Sequence, residues 1–303
     1  MKRACLYLLA GLLAIAGWTG GASAAPYARP ELLVSTQQLA GLLQDPEVKI
    51  LDARGAEEYK AGHIPGAISL PVAATVQNER WVPAVLAPMD KLVALLGGKG
   101  IKPTDTLVVY DEAVGIFAAR LFWTFDVLGH PKVRLLDGGM SKWAKEGRPI
   151  SQEVPSPAAA QYTPKPDWTK FADAAYVLVN LNNPRVVLVD CRSPREFSGE
   201  VASQQVKRAG RIPGAKHVDS DDHLVESGGM KVFKNADELA QAYAKAGASK
   251  DKEIITYCRT GVRGSLGYLG LRLLGYPTVR LYDASMIEWG NRPELPVEKT
   301  GKK

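Results

Sequence analysis

Cys258 is the residue of this sequence best placed to act as a nucleophile. It follows the apolar run 254–257 and precedes a loop rich in glycine and arginine, Arg259-Thr260-Gly261-Val262-Arg263-Gly264. A Leu-rich helical pattern begins near Ser265, which predicts the thiol between the end of a strand and a helix N-terminus. Backbone N–H groups and the helix dipole favour an anion at that place, and therefore the thiolate. The loop predicts a reactive cysteine whose substrate carries negative charge.

The elements that must position Cys258 alternate between strand and helix. The strands predicted in the second half of the chain are Val186–Asp190, residues 254–257 and Val279–Tyr282. The predicted helices are residues 236–246, with Asn235 as N-cap, and residues 265–274. Apolar strands that alternate with helices are typical of a parallel sheet covered on both faces, so we predict an α/β fold.

The sequence contains two copies of one unit. Leu-Asp-Ala-Arg at 51–54 matches Val-Asp-Cys-Arg at 189–192, and Gly-His-Ile-Pro-Gly-Ala at 62–67 matches Gly-Arg-Ile-Pro-Gly-Ala at 210–215. Residues 128–137 match residues 274–283 in the same order. Such ordered matches indicate a tandem repeat, in which Asp111 stands at the position of Cys258.

The boundaries of the two copies follow from proline content and from the first residues. Four prolines between residues 154 and 168 predict an extended linker, with one domain at 26–153 and the other at 169–303. Lys2 and Arg3, an apolar run at 6–18 and Ala22-Ser23-Ala24 are typical of a signal peptide over residues 1–25. We therefore predict export to the periplasm, and no membrane association after cleavage, because the apolar run is short for a membrane span.

The charge pattern argues against a nucleic-acid partner. The formal net charge is +6, from 38 basic and 32 acidic residues, and the basic residues are scattered without aromatic residues between them. A nucleic-acid-binding surface would concentrate them in a patch or stripe.

These motifs together resemble the tandem rhodanese family of sulfurtransferases. The resemblance covers nearly all of the chain after residue 25, and it implies two rhodanese-like domains, of which only the second is catalytic. It implies that Cys258 takes sulfane sulfur from a small anionic donor as a persulfide and passes it to cyanide or another thiol. The residues that it implies for substrate binding are Arg192, Arg259, Thr260, Gly261, Val262 and Arg263. Because the carboxylate of Asp111 cannot carry sulfur, the first domain is structural or shapes the site across the interface.

The resemblance leaves more than one sulfur donor and more than one activity open. Arg259 is typical of enzymes that use thiosulfate, whereas Thr260 and Arg263 depart from that pattern, so 3-mercaptopyruvate remains the second donor. A cysteine phosphatase also closes a Cys-to-Arg loop, but with five residues between the two, and here there are four. A persulfide carrier or docking protein without turnover is the third reading.

Other polar residues have competing interpretations. Arg192 either reaches the substrate anion or pairs with Asp190 or Glu196. If Arg192 points at the site, strand alternation turns Cys191 away from it, into the core, so we expect no disulfide with Cys258. His and Asp residues between 217 and 223 match no zinc spacing. We expect neither a metal nor another cofactor.

Overall fold

The computed structural model of this protein describes residues 26–113 and 115–301. The predicted signal peptide, residues 1–25, lies outside these ranges, so export stays a prediction. Within the described ranges, no helix combines the length and apolar character that crossing a bilayer requires.

The first unit is built from seven strands and five helices. Its strands are β1 (Leu33–Val34), β2 (Val48–Asp52), β3 (Ile68–Ser69), β4 (Val76–Glu79), β5 (Val82–Leu86), β6 (Thr106–Tyr110) and β7 (Val133–Leu136). Its helices are α1 (Thr36–Ala40), α2 (Ala56–Ala61), α3 (Met89–Gly98), α4 (Ile116–Val127) and α5 (Gly139–Lys145).

The second unit repeats this order of elements. Its strands are β8 (Phe171–Ala172), β9 (Val186–Asp190), β10 (Lys216–His217), β11 (Leu224–Ser227), β12 (Met230–Phe233), β13 (Glu253–Tyr257) and β14 (Val279–Tyr282). Its helices are α6 (Ala174–Val179), α7 (Pro194–Ser198), α8 (Ala236–Lys245), α9 (Val262–Leu273) and α10 (Ser285–Trp289).

Each unit contains one parallel five-stranded sheet and one antiparallel hairpin. The sheets have the orders β1-β7-β6-β2-β3 and β10-β9-β13-β14-β8. Hairpin β4–β5 belongs to the first unit and hairpin β11–β12 to the second. The predicted α/β fold with two parallel-sheet domains is therefore confirmed.

The two units share an apolar interface. Helices α4 and α9 pack against each other, and buried side chains of both units belong to one core cluster. Each hairpin also reaches the other unit, since the Leu86 N–H donates to Asp283 at 2.7 Å and the Phe233 N–H donates to Asp137 at 3.0 Å. The C-terminal end of each sheet is thus completed by the neighbouring unit.

The predicted elements match the observed ones with one correction that matters for the site. The strands at 186–190 and 279–282 have the predicted bounds, and Asn235 caps α8 by accepting the Glu238 N–H. Helix α9, however, begins at Val262 rather than near Ser265. The left-handed backbone of Gly261 (φ 79°) turns the chain into the helix sooner than the Leu-rich pattern suggested.

The segment predicted as a linker has no regular secondary structure, but it is not detached from the first unit. The backbone N–H groups of Ala160, Lys165 and Asp167 donate to carbonyl oxygens of the first unit at 2.8–3.0 Å. Tyr162 is buried among first-unit side chains. These bonds fix the path of the chain between the two units.

Candidate active site

Cys258 lies at the C-terminal end of β13, at the N-terminal end of α9. We call residues 258–264 the cysteine loop. The side chain of Cys258 is 1% exposed, and Gly261 is the N-cap of the helix. The first N–H groups of a helix have no partner within it and carry partial positive charge, so they attract an anion at this end. The placement predicted for the thiol is confirmed.

Two carbonyl oxygens of the cysteine loop accept hydrogen bonds from α10. The N–H groups of Met286 and Ile287 donate to the carbonyls of Cys258 and Arg259 at 3.1 and 2.9 Å. The Cys258 N–H in turn donates to the hydroxyl of Ser285 at 3.1 Å. With these carbonyls bound to α10, acceptors are kept out of the centre of the loop, which favours an anion there.

The first unit shows how such a loop binds a negative charge. We call the segment from Asp111 to Ala118 the aspartate loop. The carboxylate of Asp111 accepts the N–H groups of Gly115 at 2.9 Å, Phe117 at 2.9 Å and Ala118 at 3.3 Å. The carbonyl of Asp111 is held by Met140 as that of Cys258 is held by Met286. An anionic group fills this first-unit loop from within.

The same N–H positions exist in the cysteine loop. Gly115 and Gly261 are both left-handed N-cap residues, at φ 77° and 79°, and helices α4 and α9 follow them directly. The counterparts of Gly115, Phe117 and Ala118 are therefore Gly261, Arg263 and Gly264. Two residues separate Cys258 from Gly261, against three in the aspartate loop. The cysteine loop therefore has three N–H groups at the start of α9 that can bind an anion.

Arg263 is bound by an acidic residue that the sequence analysis named only as a possible partner of Arg192. Its guanidinium donates to both carboxylate oxygens of Glu196 at 2.8 and 3.1 Å. Burial raises the pKa of Glu196, but the hydrogen bonds from Arg263 and Ser203 outweigh it and lower that pKa to about 2. Burial lowers the pKa of Arg263, while Glu196 and the negative charge of Cys258 raise it above its usual value. Arg263 thus stays charged beside Cys258.

The remaining loop side chains are half-buried at the mouth of the site. Arg259 donates to Gln204 at 2.8 Å, from a position that solvent reaches. Thr260 and Val262 are half-buried, and Gly261 is buried. The structure brings the predicted loop residues together around Cys258, and their contact with a substrate stays a prediction.

Arg192 is committed to a structural network. It is 1% exposed, and its guanidinium donates to the carboxylate of Asp190 at 2.6–3.2 Å, to Ser203 at 3.2 Å and to the Gly210 carbonyl at 2.8 Å. Arg54 repeats the bonds to the aspartate two residues earlier and to a glycine carbonyl, although its loop has no cysteine. The shared arrangement braces the fold, and substrate binding by Arg192 stays a prediction.

The second cysteine is a buried thiol. Cys191 and Cys258 are both free, as predicted. The expectation that Cys191 turns into the core is confirmed, because its side chain is 0% exposed and belongs to the buried cluster, whereas its orientation away from the site stays a prediction. Burial first, and then the negative charge of Cys258, raise the pKa of Cys191 well above its usual value. Cys191 therefore remains protonated and unreactive.

The histidines between residues 217 and 223 have other partners. A ring nitrogen of His217 lies 2.6 Å from the Arg192 carbonyl, and one of His223 lies 2.6 Å from the Tyr243 hydroxyl. Across the described residues, no group of three or more potential ligands is arranged to hold a metal ion.

The comparison with protein families agrees with this geometry. A family model described as the rhodanese-like domain matches residues 35–146 and again residues 173–292. This chain belongs to the rhodanese family. The resemblance seen in the sequence is confirmed, and the chain is a sulfurtransferase by membership and by its relatives.

Two curated relatives match this rhodanese over almost the whole of their own length. The thiosulfate sulfurtransferase of Azotobacter vinelandii is 34% identical over 272 residues, with 90% of this chain and 98% of the relative covered. The sulfur carrier protein TtuD of Thermus thermophilus is 37% identical over 287 residues, with 90% and 98% covered. Both names describe proteins that handle transferable sulfur.

A solved structure gives the same architecture. The anaerobic ergothioneine biosynthesis enzyme from Chlorobium limicola, in complex with trimethyl histidine, superposes with a TM-score of 0.83 and 27% identity. The match covers 94% of this chain and 74% of that enzyme. A structure of EanB with a cysteine persulfide and ergothioneine superposes equally well, with a TM-score of 0.83.

Proposed function

We propose that this rhodanese transfers sulfane sulfur from thiosulfate to a thiol or cyanide through a persulfide on Cys258. The observation that carries the proposal is the pair of loops. In one, a carboxylate accepts three N–H groups, and in the other the corresponding N–H groups lie in the first turn of the helix that follows Cys258. A persulfide on Cys258 places its terminal, negatively charged sulfur where the aspartate loop holds its carboxylate oxygens.

The chemistry is two successive displacements at sulfur. The Cys258 thiolate attacks the outer sulfur of thiosulfate, the sulfur–sulfur bond of the donor breaks, and sulfite leaves with the bonding electrons. The acceptor thiolate or cyanide then attacks the terminal sulfur of the persulfide. That sulfur–sulfur bond breaks, and the Cys258 thiolate is restored. The N–H groups of the loop stabilise the negative sulfur in both steps.

The direct test is the fate of one sulfur atom. Mass spectrometry after exposure to thiosulfate should show a gain of one sulfur on Cys258, and that sulfur should disappear when cyanide is added. Cys258→Ser should abolish both the gain and the turnover, because a hydroxyl cannot replace the thiolate as nucleophile at neutral pH. Cys191→Ser is the matched control and should retain both. Substantial activity of Cys258→Ser, or loss of activity in Cys191→Ser alone, would refute the assignment.

Two related activities are separated by the same assays. The 37% identity to the sulfur carrier protein supports a carrier as the second candidate. A carrier would load one sulfur and release it to a protein acceptor, whereas an enzyme turns over repeatedly with a small acceptor. Comparison of kcat/KM for thiosulfate and 3-mercaptopyruvate identifies the donor. Export to the periplasm is proposed from residues 1–25 alone, and a periplasmic fraction that lacks the protein would contradict it.

A further inference from the structure

Arg120 belongs to the first unit, yet it lies against the cysteine loop of the second. It is on α4 and is 0% exposed. One of its guanidinium nitrogens, Nη2, donates to Asp283 Oδ1 at 2.5 Å and to the Ala84 carbonyl at 3.3 Å. The guanidinium carbon lies 4.4 Å from the centre of the Trp123 ring, which adds a cation–π contact.

Another guanidinium nitrogen of Arg120, Nη1, lies next to Gly261. Among the described residues, Nε and Nη1 are buried and have no hydrogen-bond partner. A methyl group built on Gly261 would lie 2.7 Å from Nη1 and 2.7 Å from the Asp283 carbonyl oxygen. The guanidinium therefore touches the backbone turn that starts α9. A buried charged group with unpaired donors is unfavourable for folding, so its presence needs a reason.

The duplication supplies an internal comparison. Arg120 is four residues after the start of α4, and the residue four after the start of α9 is Leu266. Leu266 makes the reciprocal contact, with a methyl carbon 3.7 Å from a methyl group built on Gly115. Thus an apolar side chain lies against the loop that Asp111 already fills, and a charged one lies against the loop with the thiol.

The partner of Arg120 also connects to the cysteine loop. Asp283 accepts the Leu86 N–H as well as the Arg120 bond, and it directly precedes the segment 284–287. Ser285, Met286 and Ile287 of that segment hold Cys258 and Arg259 by the two backbone bonds and the hydroxyl bond described above. Asp137, the first-unit counterpart of Asp283, likewise accepts the N–H of Phe233. The position that corresponds to Arg120 is occupied by Leu266, which has no guanidinium to donate to Asp137.

We propose that Arg120 is a positioning residue that the first domain supplies to the sulfur-transfer site. It presses on the Gly261 turn and fixes Asp283, so that the loop N–H groups converge on the sulfur of Cys258. This inference rests on the proposed function for its kinetic consequence. It also assigns the first domain a part in the reaction, although Asp111 has replaced its cysteine.

The test compares Arg120→Leu with Leu266→Met in the full chain, both in a Cys191→Ser background. Arg120→Leu creates at the cysteine loop the contact found at the aspartate loop, and Leu266→Met changes the reciprocal contact at nearly constant volume. The first readout is the rate constant for persulfide formation from thiosulfate. The second is the pH profile of alkylation of Cys258 by iodoacetamide, which needs no sulfur donor.

Arg120→Leu should lower the rate constant for persulfide formation about 100-fold, the effect typical of a displacement of roughly 1 Å in a reacting site. Its alkylation profile should move to higher pH, because a displaced loop stabilises the thiolate less. Leu266→Met should leave both unchanged. If Arg120→Leu does not fold, Arg120→Lys, which keeps the charge but lacks the planar group, should show smaller changes in the same directions.

Three results would overturn the inference. They are a wild-type rate and pH profile in a folded Arg120 variant, equal losses in Arg120→Leu and Leu266→Met, or a lower rate with an unshifted profile. Failure of the wild type to take sulfur from thiosulfate would refute the proposed function instead. In that case the alkylation profile would still test the role of Arg120.

Discussion

Alanine at Gly261 should cost much more stability than alanine at Gly115, although the two glycines have the same backbone conformation. Both are N-cap residues with left-handed φ angles of 79° and 77°. A residue with a side chain in that conformation costs about 1–2 kcal/mol, and this cost applies to both variants. The loss of a glycine N-cap is also common to both, so it cancels in the comparison.

The surroundings of the two positions differ. The new methyl group would lie 2.7 Å from both Arg120 Nη1 and the Asp283 carbonyl at Gly261, but 3.7–3.9 Å from its nearest neighbours at Gly115. Contacts at 3.7–3.9 Å are ordinary, whereas overpacking against a buried group costs typically about 1–3 kcal/mol. The sums predict a loss of about 2–5 kcal/mol for Gly261→Ala and about 1–2 kcal/mol for Gly115→Ala.

Urea unfolding of the two variants and the wild type measures this difference directly. Comparison of the m-values shows whether the unfolding remains a single transition, since a tandem protein can unfold one domain at a time. Equal losses of unfolding free energy in the two variants would refute the reasoning, because the backbone strain common to both would then account for the whole loss at Gly261. Gly261→Ala should also slow persulfide formation, whereas Gly115→Ala should not.

Two further predictions concern a charge at the mouth of the site and a buried histidine. Arg259→Ala should lower kcat/KM for thiosulfate by the equivalent of about 1.5–3 kcal/mol, which is the contribution of a charge-assisted hydrogen bond. The control Arg195→Ala, at an exposed arginine, should leave kcat/KM unchanged. Unchanged kinetics in Arg259→Ala would place Arg259 on the solvated surface. Burial lowers the pKa of His223 to about 4, so its contribution to stability is complete above about pH 6.5 and is lost as the pH falls towards 4. That loss of unfolding free energy is about 3 kcal/mol. Urea unfolding at pH 7 and pH 4.5 should show that His223→Gln loses less stability in acid than the wild type. Equal losses in the two proteins would contradict this role of His223.

The local features of the site could be read from the sequence. The strand before Cys258 is short and mostly apolar, and Gly261 after it is the residue type that a left-handed turn requires. The duplication showed that Asp111 replaces the cysteine in the first unit. Such features depend on residues close together in the chain, or on comparison of one copy with the other.

The start of α9 could not be read in the same way. The Leu-rich pattern marks the buried face of the helix, and it says nothing about the first turn, where Val262 and Arg263 lie partly exposed. Alternation along β9, by contrast, was enough to predict that Cys191 lies in the core, where its side chain is 0% exposed.

The sequence by itself thus determined the parallel-sheet units, the family and the place of Cys258 between a strand and a helix, because these depend on local pattern and on repetition. Only the tertiary structure decided the partners that lie far from an arginine along the chain. Arg263 binds Glu196, and Arg120 crosses the interface to an aspartate 163 residues away. A guanidinium binds whichever carboxylate the packing of distant segments brings near it, and no spacing along the chain records that distance.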